Sequence, residues 1–212
     1  MSLGYFIAFE GGEGTGKSTQ AKLFFDHLQQ EAIEAVITRE PGGTPGAEAI
    51  RSLLLDPPGD GWNSRAEALL FAAARSDHVE KLIRPAMTEG KWVICDRFVD
   101  SSRAYQGGAG ALGDGKILEM HTLGSQGLFP DLTILIDVPA EQIAARLAER
   151  DGDSSDAIGG RSAQYHQAVG ERFREMAGET PDRFAIIDGT GTIEQVHARV
   201  LHTVSARIRG AS

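Results

Sequence analysis

Four glycines, Gly11, Gly12, Gly14 and Gly16, fall within six residues, and Lys17 and Ser18 follow at once. An apolar run, Tyr5–Phe9, precedes them, while Ala21, Phe24, Phe25 and Leu28 follow at helical spacing. The segment fits G-x-x-x-x-G-K-[ST] in the setting that pattern requires, between a strand and a helix. Glycines let successive backbone N–H groups curl around phosphate oxygens with no Cβ in the way. The helix N-terminus adds a partial positive charge. Gly11, Gly12, Glu13, Gly14, Thr15, Gly16, Lys17, Ser18 and the adjoining Thr19 are thus the expected nucleotide-phosphate contacts. Lys17 is expected to reach the β- and γ-phosphates of a nucleoside triphosphate, and the Ser18 hydroxyl to bind Mg²⁺. Kinases, GTPases and ATPases all use such a loop, so it speaks for a donor and not for an acceptor. No Asn-Lys-x-Asp element follows, which argues against a GTPase switch.

Further along, short apolar runs alternate with helical patterns. Ala35–Thr38, Trp92–Cys95, Leu132–Ile136 and Phe184–Ile187 read as strands. Helices are expected around Ala47–Leu54, from about Arg65 to Thr88, over Ala140–Glu149, and from Ile193 to Ile208. The strands are almost continuously apolar, as in a parallel sheet covered on both faces. The alternation predicts a doubly wound α/β fold in one domain spanning residues 1–212. Asp56–Asn63, with Pro57, Pro58, Gly59 and Gly61, reads as a loop, and Asp151–Gly160 as mobile. Ligands of open α/β sheets bind beyond the carboxyl ends of the strands. Those ends carry Glu10, Arg39 and Glu40, Asp96 and Arg97, Asp137, and Asp188.

The formal net charge of −9 favours neither nucleic acid nor an anionic membrane as partner. An anionic substrate must then be held by a few local cations. The single cysteine, Cys95, allows no intrachain disulfide and reads as core. The absence of a basic leader and of any apolar run near the ~20 residues of a membrane span predicts a cytoplasmic protein.

Several segments together resemble bacterial thymidylate kinases: Thr38-Arg39-Glu40-Pro41-Gly42-Gly43-Thr44, Glu67–Arg75, Asp96–Ser102 with Ala104-Tyr105-Gln106-Gly107, and Pro130-Asp131-Leu132-Thr133. They stand in the family's order beside the phosphate loop, from residue 5 to about 150. The resemblance implies a three-layer P-loop kinase fold: a five-stranded parallel sheet, helices on both faces, and a mobile lid at about residues 147–163. It implies transfer from ATP to dTMP with Mg²⁺, and a homodimer. Phe71 and Arg75 are four apart and share a helical face. From periodicity alone Phe71 reads as core and Arg75 as solvated; the resemblance instead puts Phe71 on the thymine ring and Arg75 at its carbonyl. Arg97 is implied at the acceptor phosphate and Asp96 near the metal, although an internal Asp–Arg pair would fit the same residues. Arg51, Ser101, Ser102, Tyr105 and Gln106 are implied as further acceptor contacts, with Glu13 and Glu40 along the sugar and phosphate. Glu13 is an odd carboxylate for an anion loop unless a metal, an arginine or a sugar hydroxyl meets it.

The phosphate loop holds no arginine, so cations are expected from a lid that closes over ATP: Arg146, Arg150 and Arg161 flank it, Arg146 as a nucleotide contact and Arg150 and Arg161 as catalytic residues. A surface loop with solvated arginines is the alternative. Gly160-Arg161-Ser162-Ala163 departs from the family's Asp-Arg-x-x-Glu, which leaves open which arginine acts. Another nucleoside monophosphate kinase of the same fold, and a catalytically silent nucleotide-binding regulator, are the competing functions.

Overall fold

The computed structural model describes residues 4–151 and 157–210. The strands are β1 (Phe6–Glu10), β2 (Ala35–Arg39), β3 (Trp92–Asp96), β4 (Leu132–Asp137) and β5 (Phe184–Asp188). All pairings are parallel, in the order β2-β3-β1-β4-β5. Alternate residues of β1 point to opposite layers, as strand geometry dictates. Ile7 and Phe9 pack with Phe24 and Leu28 of α1 (Lys17–Gln30), and this layer continues to Val196, Val200 and Val204 near the C-terminus. Phe6 and Ala8 face the other layer, among Val79, Ile83 and Phe98. Burial on both faces is why the strands carry no polar alternation.

Helix α2 (Pro45–Leu55) starts at a Thr44 cap, whose hydroxyl accepts from Ala47 N at 3.3 Å. The stretch expected as one helix to Thr88 is α3 (Ser64–His78), a wider π turn at Val79–Ile83, and α4 (Arg84–Thr88). Pro85 explains the change: it lacks an N–H and its ring crowds the carbonyl four residues earlier, which a local i→i+5 pattern relieves. Hydrophobic period predicts neither α5 (Val99–Ser102) with its π extension Arg103–Ala109, nor α6 (Asp114–Ser125). In α6 only Ile117, His121 and Ser125 are buried, too sparse a stripe to read. Helix α7 (Ala140–Asp151) follows β4, α8 (Ala163–Glu179) packs against β4 and β5, and α9 (Ile193–Gly210) closes the chain. Asp56–Asn63 contains no helix or strand, as expected. Of the stretch expected to be mobile, residues 152–156 lie outside the described residues and 157–160 form turns. The Arg150 side chain also lies outside what is described.

Candidate active site

A cleft of about 820 Å³, its open mouth included, lies beyond the carboxyl ends of β1, β2 and β3. Lys17, Arg39, Arg51, Arg75 and Arg97 line it against three acids, Glu13, Glu40 and Asp96. The cations thus outnumber the acids in one concavity of a chain whose net charge is −9.

At one end stands the phosphate loop. Gly11, Gly14 and Gly16 have φ of 144°, 72° and 89°, a region that L side chains rarely adopt. A Cβ on Gly11 would also sit 2.7 Å from the Ile136 carbonyl oxygen. Thr15 Oγ1 and Lys17 Nζ both donate to the Gly12 carbonyl, at 3.0 and 3.2 Å. Burial lowers the Lys17 pKa, as does nearby Arg97, while Glu13, Asp96 and Glu10 oppose the shift. Ser18 lines the cleft from the first turn of α1. Thr19 is exposed and is not among the lining residues. Asp96 Oδ1 is buried with no hydrogen-bond partner. An orphaned carboxylate oxygen is costly, and with the Ser18 hydroxyl it offers the hard oxygen donors that a magnesium ion takes.

At the other end the groups are side chains. Arg75 is 3% exposed; its Nε donates to Glu40 Oε2 at 2.7 Å and its Nη2 to Ser102 Oγ at 2.8 Å. Burial alone would raise the Glu40 carboxyl, but Arg75 and His78 outweigh it and hold it below the ordinary value. His78, fully buried, bridges Glu40 Oε1 at 3.1 Å and Thr38 Oγ1 at 2.7 Å. Phe71 lines the cleft one turn before Arg75, half-buried. Arg51 donates to the Pro41 carbonyl at 2.8 Å. Gln106 Nε2 donates to Glu67 at 2.9 Å.

Arg97 joins the two ends. Its φ is 69°, unusual for a residue with a side chain. Nη1 donates to the Gly11 carbonyl at 3.1 Å and to Ser101 Oγ at 2.9 Å; Nη2 donates to Glu13 at 2.5 Å and to the Tyr105 hydroxyl at 3.1 Å. An arginine therefore meets the odd carboxylate of the loop. Glu10 holds this turn from beneath, accepting from Phe98 N at 2.8 Å, Ser101 N at 3.0 Å and Ser101 Oγ at 2.6 Å.

The acceptor-side residues named from the sequence are thereby brought together with Glu13, Lys17 and Ser18 in one cleft, whereas Thr19, Arg146 and Arg161 are not among its lining residues. Arg146 touches the phosphate loop through a carbonyl, donating to Thr15 O at 3.4 Å and to Gly189 O at 3.0 Å. Arg161 is not at the phosphate loop; it pairs with Glu67 on α3. Sequence reasoning missed the lining residues Leu55, Phe98 and Ile158, and the supports Glu10, Glu67 and His78. Glu10 carried a signal, as a charge ending an apolar strand, but its partners were not readable.

The thymidylate kinase family profile matches residues 9–200. This chain belongs to the thymidylate kinase family. It is 50% identical to a thymidylate kinase of Rhizorhabdus wittichii, covering 95% of this chain and 97% of that protein. It is 46% identical to one from Chromohalobacter salexigens, covering 98% of each. The solved structure of thymidylate kinase from Ehrlichia chaffeensis superposes with a TM-score of 0.76 at 31% identity, over 95% of this chain and 99% of that one. The five-stranded parallel sheet with helices on both faces is thus the thymidylate kinase fold.

Proposed function

We propose that this chain transfers the γ-phosphoryl group of ATP to dTMP, giving ADP and dTDP. The observation that carries this reading is the single cleft in which Lys17 and Ser18 at one end face Phe71, Arg75 and Arg97 at the other. Two anionic nucleotides laid end to end need such a continuous cationic trough. An oxygen of the acceptor 5′-phosphate attacks the γ-phosphorus, and the bond from that phosphorus to the β–γ bridging oxygen breaks. No nucleophilic side chain is needed; the protein aligns the partners and neutralises spreading charge. Gly11–Ser18 and Thr19 grip the donor, with Lys17 at its β- and γ-phosphates and Arg146 behind the loop. Phe71 stacks on the base, Arg75 and Gln106 bond its edge, and Ser101, Ser102 and Tyr105 complete the acceptor pocket. Arg51 and Glu40 flank the acceptor, and Arg97 holds its phosphate beside Glu13. Ser18 and Asp96 would hold Mg²⁺, which would neutralise charge on the donor phosphates.

Arg150 and Arg161 stand as lid arginines in this reading, and Arg161 acts from the acceptor side, where it is docked. The lid, about residues 147–163, belongs to one catalytic domain spanning the chain. The reaction is assigned to the cytoplasm in the same reading. The same reading takes the chain as a homodimer; light scattering should give twice the chain mass. The test of the reaction is product analysis with ATP, Mg²⁺ and dTMP. Equimolar ADP and dTDP are expected, with little ADP when dTMP is omitted. ADP formed without dTDP would refute the reading.

A further inference from the structure

Glu67 has no part in the transfer as described, yet both of its carboxylate oxygens are engaged and its side chain is only 12% exposed. Oε1 accepts from Gln106 Nε2 inside the acceptor end of the cleft. Oε2 accepts from Arg161 Nη2, which comes from a segment distant in sequence. That segment makes further contacts with the acceptor end. Arg161 Nη1 donates to the Tyr165 hydroxyl at 2.5 Å, and the guanidinium lies 4.7 Å from the centre of that ring. The Tyr165 hydroxyl in turn donates to the Tyr105 carbonyl at 2.9 Å. Ile158 lines the cleft, and Ala157 N donates to the Leu55 carbonyl at 3.4 Å.

Residues 157–165 are therefore docked on the acceptor half, and Glu67 is a carboxylate shared between that segment and the pocket wall. The geometry points to Glu67 as a positioning residue that couples filling of the acceptor pocket to docking of residues 157–165. This coupling rests on the acceptor role proposed for this end of the cleft. An acceptor that hydrogen-bonds Gln106 orients its amide, which fixes the carboxylate that Arg161 grips. Coupling of this kind is reciprocal: if docking tightens acceptor binding by a given factor, the acceptor favours docking by the same factor. A carboxylate is required, because a neutral side chain of the same shape keeps an oxygen for Gln106 but loses the charge facing Arg161.

Glu67→Gln, Arg161→Ala and the double variant separate coupling from simple support. Each single variant should raise KM for dTMP by about tenfold, less than the full effect of breaking a buried ion pair because Arg161 is partly exposed. KM for ATP should change far less, and the double variant should be no worse than the poorer single one, since both remove the same contact. Amide hydrogen exchange in residues 157–165, measured without nucleotide, should be faster in Glu67→Gln than in the parent chain. Additive losses, equal changes in the KM for ATP, or unchanged exchange would overturn the coupling. The exchange experiment is independent of the acceptor's identity. Faster exchange in a chain that does not use dTMP would refute the proposed reaction and leave the clasp standing; unchanged exchange in a chain that uses dTMP would do the reverse.

Discussion

At the phosphate-loop end of the cleft, shape is set by backbone: three glycines at positive φ and the first turn of one helix, all within Gly11–Ser18. At the acceptor end, shape is set by side chains from separate elements. Glu40 follows β2, Arg75 and His78 come from α3, Arg97 follows β3, and Ser102 ends α5. The backbone end requires few side-chain partners, because its shape lies in the conformation of the chain itself. The side-chain end is prepared by hydrogen bonds made before any ligand arrives, and those bonds hold buried charges that would otherwise be costly. Damage at the acceptor end should therefore reach stability as well as binding, and leave the donor end largely intact.

Arg97→Ala gives the largest expected effect, because Arg97 stands where both ends meet. Its kcat should fall by about 10³–10⁵, the range for arginines that neutralise phosphoryl-transfer charge. ATP affinity, followed by titration calorimetry, should change little. A matching loss of ATP affinity would show that the ends are not separable.

Arg75→Ala comes next. It strands Glu40 in a buried site with His78 alone, a loss of about 3–5 kcal/mol for one partner of a buried pair. Denaturant unfolding should show part of this loss, and KM for dTMP should rise much more than KM for ATP. Equal rises would contradict the division between the ends.

Glu10 offers a smaller and pH-dependent test. Burial, with Asp100 adding repulsion, pushes its carboxyl from 4.5 up to about 7 despite Arg97, Ser101 and the Phe98 N–H. Between those values the folded chain keeps a proton that the unfolded chain has released. The stability this group contributes is therefore full below pH 4.5 and is lost as pH rises through about 7. The whole change is at most about 3 kcal/mol. Urea unfolding across that window should show the decline, and Glu10→Gln should flatten it. An unchanged slope in the variant would assign the effect to another group.

The contrast between the ends also explains what could be read in advance. The phosphate loop is local, so eight consecutive residues carry its geometry, and the apolar runs carry the sheet. The acceptor end is not local. Period alone gave Arg75 to solvent and Phe71 to the core, because a helical wheel cannot show that Glu40 and Ser102 wait beside Arg75. The co-occurrence of several family segments brought Phe71 and Arg75 to the cleft, but the contacts of Arg75 with Glu40 and Ser102 come from the fold alone. The Glu10 clamp depends on β1 lying beside β3, an adjacency that strand order decides and the linear pattern does not contain. The sequence points Arg161 to the phosphates; its pairing with Glu67 spans 94 positions and leaves no local trace.

If the side-chain end of the cleft selects dTMP, kcat/KM measured across dTMP, dUMP, AMP, GMP and CMP at fixed ATP will show it. The enzyme should use dTMP best. Use of dUMP should fall below that of dTMP by about 10–200-fold, the worth of one methyl group in an apolar pocket, and the remaining monophosphates lower still. Preference for AMP, GMP or CMP over dTMP would contradict that selection.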